Sequence, residues 1–398
     1  MPKVIDAESQ SPHPKIAKNA ILGWGTPAWG TPPQSFHPIN CHTRCTGPGF
    51  ARLPVESPQA QAHSRAMRHP IAILLMVGLV WLPISAQDSA DTTANATTIG
   101  HESLQQAVAL EAQGHFDAAI AVAKQVTDSN QLTGAALGRA YVVLGAAYKY
   151  DGKFIEAQEA FEQSLRLLEH DREHQDNYAA ALSNYAGLYS DFGQIEIAKP
   201  MWQKALRLRE QIGDHTGAML SLVDLAGAAL AQKRVREARD YLKRASDEMK
   251  LASSVTGDLT DDDRRVLFET QGWLALSEGK TQAGVAAYQR ALELCTRARG
   301  EGHWLTGWDT MLLGKAYLQA GNYSQALTDM RDGLDIIGAA IGRKNQNYFF
   351  AELAYSQALD RSGAHLEAAR LRQTAEQARK DFYNSQCAGC TISTAGFR

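Results

Sequence analysis

The chain has 398 residues, a formal net charge of −3 at pH 7 and 21 % charged residues. That length could hold two or three domains. The near-neutral balance excludes the basic footprint that nonspecific nucleic-acid binding needs.

Residues 1–66 hold ten of the thirteen prolines, and no helical periodicity survives that density. This stretch is expected to be a disordered Pro-rich segment, or upstream sequence carried by an early start. Met67-Arg68-His69-Pro70 follows, then the apolar run Ile71–Leu82, then Pro83-Ile84-Ser85-Ala86-Gln87. A basic start, a short apolar core, a breaker and a small residue at the cut make a secretory signal, 67–86, cleaved near Ala86. The alternative is a single membrane anchor, but the run is too short to span a bilayer, which takes about 20 residues. No cysteine stands just after it to carry a lipid. Seven of the 40 basic and three of the 43 acidic residues lie in 1–86, which leaves the remainder at net −7. Residues 87–100 are rich in Thr, Ala and Asp and are expected to be a linker.

From residue 101 to 383 one phrase recurs every 38 to 46 residues: the end of a helix, a turn, then the start of another helix. The turn falls at Gly114, Gly152, Gly193, Lys233, Gly279, Gly321 and Gly363. Five residues later stand Ala119, Ala157, Ala198, Ala238, Gly284, Ala326 and Ala368. In the second unit, Tyr141, Leu144, Gly145 and Tyr148 share one helix face, and Phe154, Ala157, Phe161 and Leu165 share another. Gly145 and Ala157 are small where two antiparallel helices must approach. Neither helix can bury its apolar face alone, so the units must stack.

These residues resemble the tetratricopeptide repeat signature. Leu144-Gly145-x-x-Tyr148 and Leu313-Gly314-x-x-Tyr317 match its first half, with Tyr185-Ala186-x-x-Tyr189 a close variant. Ala157-x-x-x-Phe161 and Ala198-x-x-x-Trp202 match its second half. The fourth unit is diverged, with Lys233 for Gly and Leu242 for the aromatic residue. The seventh has Arg372 where an apolar residue belongs, as suits a capping repeat. The long period and the loops Gly213-Asp214-His215 and Gly300-Glu301-Gly302-His303 resemble the kinesin light chain variety. The resemblance implies an all-α fold: about seven helix-turn-helix repeats stacked in a right-handed superhelical solenoid. It implies a protein or peptide partner and names none.

Catalytic patterns are weak. His170-Asp171-Arg172-Glu173-His174 fits the H-x-x-E-H string of inverted zinc peptidases, but it lies in a polar loop between units. Gly338–Lys344 falls one residue short of a phosphate loop and has no Ser or Thr after Lys344. Asp261-Asp262-Asp263 is expected to favour a helix N-terminus. No catalytic residue, cofactor or metal is assigned. Cys295 is read as a buried thiol. Cys387 and Cys390, in the tail 384–398, could close a small disulfide in an oxidising compartment, act in redox or metal chemistry, or have no role.

Tetratricopeptide stacks bind extended peptides along the face made by the first helix of each unit. With the small residue counted as position 8, positions 2, 5, 9 and 12 point inward. They give an apolar wall that includes Val223, Trp273, Trp308, Met311 and Phe350; the alternative is that tight supercoiling buries many of these as core. Position 6 adds Asn184 and Asp224, and an Asn there resembles the groups that clamp a peptide backbone. The expected function is an extracytoplasmic, secreted or periplasmic, interaction scaffold. The alternatives are a self-associating assembly factor of the cell envelope and, less favoured, an enzyme or a cytoplasmic regulator. No stable membrane span is expected in the mature chain.

Overall fold

A computed structural model describes residues 86–129, 131–255 and 259–386. The expected signal at 67–86, Ala86 apart, the expected Pro-rich segment and the Cys387/Cys390 pair lie outside them. Among the described residues there are fourteen helices and no strand. They form seven antiparallel pairs: α1 (Ala86–Ala112) with α2 (Phe116–Asp128), α3 (Gly134–Asp151) with α4 (Phe154–Leu168), and α5 (Gln175–Asp191) with α6 (Ile195–Ile212). The series continues with α7 (His215–Ala231) and α8 (Val235–Val255), then α9 (Asp261–Ser277) and α10 (Thr281–Arg299). It ends with α11 (Trp304–Gln319) and α12 (Tyr323–Ile341), then α13 (Gln346–Arg361) and α14 (His365–Gln386). The expected linker at 87–100 is instead the first part of α1. The segment 87–99 contains no Gly or Pro that would stop a helix.

All seven turn residues read from the sequence adopt left-handed backbone, with φ from 60° at Lys233 to 95° at Gly363. Lys233 is the one non-glycine residue with positive φ among those described. A side chain there is crowded against the following carbonyl, at a cost of roughly 1–2 kcal/mol. The loops between units act as helix caps. Asp214 accepts from the Gly217 N–H at 2.8 Å, and His303 accepts through Nδ1 from the Leu305 N–H at 3.2 Å. Thr260 and Asp263 form a reciprocal capping box at the start of α9, so the acidic run does serve a helix N-terminus.

Within a unit the helices meet at small residues. A Cβ on Gly145 would come within 2.7 Å of the Phe161 ring. The close approach is thus Gly145 to Phe161 rather than Gly145 to Ala157. A helical side chain covers the turn N-terminal to its own Cα, so the ring leans back over the glycine. The tightest pairing is α11 with α12, where Gly307 and Gly333 bring the two backbones together. A Cβ on either would fall within 3 Å of the other's carbonyl oxygen.

The first helices of neighbouring units touch directly, α1 to α3, α3 to α5, α7 to α9, α9 to α11 and α11 to α13. They are buried on most sides: along α7 the run Thr216–Val223 is covered without a break. The second helices bury one stripe only, as in α8, where Ala238, Leu242, Ala245 and Ala252 face inward. First helices therefore form the inner wall of a solenoid and second helices its outer wall.

Candidate functional site

The inner wall holds the sequence-predicted residues, but it divides them. Trp308 (2 % exposed), Met311 (0 %), Val223 (7 %) and Asn184 (2 %) are core. Trp308 and Met311 pack among Tyr288, Met330 and Tyr348, while Trp273 packs at the edge of a different cluster around Leu222 and Leu267. The two tryptophans therefore do not share one open wall. Asn184 donates from Nδ2 to the Ala180 carbonyl of its own helix at 2.9 Å, so that donor is already engaged. Trp273, Asp224 and Phe350 are half-buried and keep some inner surface. The long helices supercoil tightly, and that swallows positions 2 and 5 in the sixth unit.

Charged groups stand on the same wall. Lys149 in α3 pairs with Asp191 in α5 at 3.2 Å, and both side chains are nearly covered. Arg209 reaches in from α6, donating from Nη1 to Ser183 Oγ at 3.2 Å, to the Gly217 carbonyl at 3.0 Å and to Ser221 Oγ at 2.7 Å. Burial pushes the Asp224 carboxyl up to about 7 against the pull of Arg209 and Lys149. It does the same to Glu111, against Arg299 and Lys149. Burial also pulls the Lys315 ammonium down to about 8. Sequence reasoning named Asp224 but missed Glu111, Lys149 and Lys315, although the signal was available. Glu111 and Lys149 occupy position 12 of the first two units and Lys315 position 9 of the sixth, both inward-facing.

A second buried set joins α9 to α11. Arg265 donates from Nη1 to Glu269 Oε1 at 2.6 Å and to Asp309 Oδ1 at 3.0 Å. Burial and the neighbouring Asp309 hold the Glu269 carboxyl well above its ordinary value, against the Arg265 charge. Cys295 lies beside this set, 3.4 Å from Thr306 Oγ1, and burial pushes its thiol up to about 12. It is the inert structural thiol expected.

The solenoid also meets itself. The turn after α1 and the end of α3 touch the loops that precede α11 and α13. Arg299 Nη1 and His303 Nε2 both donate to the Ala112 carbonyl, at 2.6 and 2.7 Å. Asn345 Nδ2 donates to the Tyr150 carbonyl at 3.0 Å. Phe116, Tyr150 and Trp304 form an aromatic cluster, with Phe116 stacked on Tyr150 at 5.7 Å between centroids. At the C-terminal end, Tyr383 stacks on Phe154 at 5.9 Å, and Phe382 meets the same ring edge-on at 6.4 Å.

The string at 170–174 has no such surroundings. His174 turns to Asp171 at 3.1 Å, and both His170 and His174 are exposed. Among the described residues, no group of three or more His, Cys, Asp or Glu side chains is arranged to hold a metal. No helix of the described residues is long and apolar enough to cross a membrane.

A tetratricopeptide-repeat family model matches residues 177–247 and 269–339, and a second such model matches 138–167. The helix pairs within these stretches are tetratricopeptide repeats. The matched stretches cover units two to six, including the diverged fourth. No curated protein matches the sequence. Among solved structures, aspartyl phosphate phosphatase F from Bacillus subtilis is 12 % identical, with 74 % of this chain and 73 % of that one covered and a TM-score of 0.53. The apo form of RapI is 10 % identical, with 72 % and 99 % covered and a TM-score of 0.51. BtubC (BKLC) from P. vanneervenii is 18 % identical over 62 % and 91 %, and its TM-score of 0.41 carries no argument. At these identities the likeness shows a shared repeat fold.

Proposed function

We propose that this chain is an interaction scaffold that receives a segment of a partner protein on the inner wall of its repeat solenoid, and that it acts outside the cytoplasm after its leader is removed. The observation that carries the first part is the repeat architecture itself: first helices facing inward, with Trp273, Phe350, Asp224 and Lys315 only half-buried on that wall. Aromatic side chains with some free surface are the usual anchors of a protein interface. The Asp224 carboxyl, held near 7 by burial against Arg209 and Lys149, would gain from a partner that supplies a cation. Asn184, Val223, Trp308 and Met311 support the wall from behind in this reading rather than touching the partner. The extracytoplasmic part rests on the Met67–Ala86 pattern.

The test is a crosslinked pulldown from the cell-envelope fraction, comparing the native chain with Trp273→Ala and Phe350→Ala. Partner recovery should fall about tenfold or more with either change, since an interface anchor contributes about 2 kcal/mol, while helix content stays the same. Recovery unaffected by both would place the binding surface elsewhere. Mass spectrometry of the mature chain should find an N-terminus at or near Gln87; peptides from residues 1–66 would refute export by this leader.

A further inference from the structure

The contact between the first two repeats and the last three has a different character from the stacking between neighbours. Neighbouring units bury continuous apolar faces. The seam instead is made by helix ends and loops. Arg299 and His303 reach the Ala112 carbonyl across 187 and 191 residues of sequence, Asn345 reaches the Tyr150 carbonyl across 195, and two small aromatic groups sit at either side.

The closed seam also leaves polar groups poorly served. The Trp304 indole N–H sits in its aromatic cluster with no hydrogen-bond partner among the described residues. The side-chain amide of Asn347, two residues after Asn345 and fully buried, also has no hydrogen-bond partner among the described residues. Buried polar atoms without partners weaken the state that buries them. Lys149 lies just inside the seam, where Gln346 Nε2 donates to its carbonyl at 3.4 Å, and it is 2 % exposed. A solenoid in which each unit rests on its neighbours does not need this contact in order to stay folded.

The geometry points to a latch: the chain closes its own superhelix at the Ala112/Tyr150–Arg299/His303/Asn345 seam, and it opens there, as a unit, to expose the inner wall. His303 shows how the latch is keyed. Its Nδ1 accepts from the Leu305 N–H while Nε2 faces the Ala112 carbonyl. Nε2 must therefore carry the proton, and one neutral ring caps α11 and ties it to the first repeat. That opening serves partner entry rests on the proposed function; that the seam opens does not.

Two measurements on the full chain test this. Amide exchange read by mass spectrometry should show peptides around Ala112–Phe116, Tyr150–Phe154 and Arg299–Leu305 exchanging together, and well before those of α7 and α9. The variant Asn345→Asp keeps an oxygen to cap α13 but cannot donate to Tyr150. Combined with Phe382→Ala, it should speed exchange at all three segments about tenfold or more. It should also raise the radius of gyration in small-angle scattering and increase the fluorescence of added anilinonaphthalene sulfonate, with helix content unchanged. Seam amides in the native chain that exchange only at the rate of global unfolding would mean a permanent ring and overturn the proposal. So would a double variant with native scattering and native exchange. If the double variant fails to fold, the native-chain exchange alone decides.

Discussion

Arg265→Met isolates the buried charge set between the fifth and sixth repeats. Arg265 is 1 % exposed and donates to two carboxylates, Glu269 at 2.6 Å and Asp309 at 3.0 Å, with Asp309 fully buried and Asp262 a third carboxylate at 4.0 Å. Methionine has a similar reach and no charge, so it leaves two acids facing each other without a cation. Breaking a buried pair in this way costs about 3–5 kcal/mol, a factor of about 10² to 10³ or more in the local unfolding equilibrium. The loss should depend on pH. Glu269 already has its carboxyl raised by burial and by Asp309, and removing Arg265 raises it further. A raised acid is stabilising while protonated, and that contribution is lost as pH rises through its folded value. The variant should therefore be least damaged in acid and worse at pH 8. Because repeat arrays open in parts, the assay is urea-dependent amide exchange in α9, α10 and α11 at pH 5 and pH 8. A loss below about 1 kcal/mol, or one equal at both pH values, would refute the reasoning. Replacing Arg265, Glu269 and Asp309 together by apolar residues of similar size should recover most of the loss.

Lys233→Gly should stabilise the fourth repeat by about 1 kcal/mol, because it removes a Cβ from a left-handed turn at φ 60°; thermal unfolding read at the α7–α8 amides checks it. Phe161→Ala, at a fully buried ring that fills the space over Gly145, should cost about 3–5 kcal/mol in denaturant unfolding, whereas His170→Ala in the exposed loop should stay within about 0.5 kcal/mol. Trp308→Ala should destabilise by about 3–5 kcal/mol, and Trp273→Ala by clearly less, so only the second can report on binding; equal losses would mean that both are core. Corrected for the intrinsic pH dependence of amides, seam amides should be most protected from exchange near neutral pH. Burial and Arg299 lower the His303 pKa, so its share of closure is lost as pH falls through that lowered value, where protonated Nδ1 can no longer cap α11 and a cation faces Arg299 and Arg265, offset in part by Asp262. Glu111, raised to about 7, withdraws its share as pH rises past that point. Exchange that follows only the intrinsic pH dependence of amides would refute this balance.

The repeat phrase was legible because it is local. A left-handed turn needs glycine, two packed helices need a small residue five positions on, and both requirements recur with a fixed period whatever the partner. The turn held even at Lys233, where the residue type was wrong for it. That is possible because the helices on either side fix the backbone and leave one residue to carry the strain. The buried charges were half-legible: Lys149 and Glu111 stand at an inward position, and applying the same count to the first two units would have found them. The division of the aromatic wall was not legible. Trp273 and Trp308 occupy positions that both point inward on an isolated helix, and only the supercoil between units decides which of them is covered. Closure was less legible still. Ala112 and Tyr150 take part through backbone carbonyls, which carry no signature in sequence. Their partners Arg299, His303 and Asn345 each have an ordinary local duty, as an ion-pair partner or a helix cap. A contact built from residues already explained by local rules leaves nothing over for a sequence pattern to flag, and it appears only when the accumulated twist of seven repeats brings the two ends together.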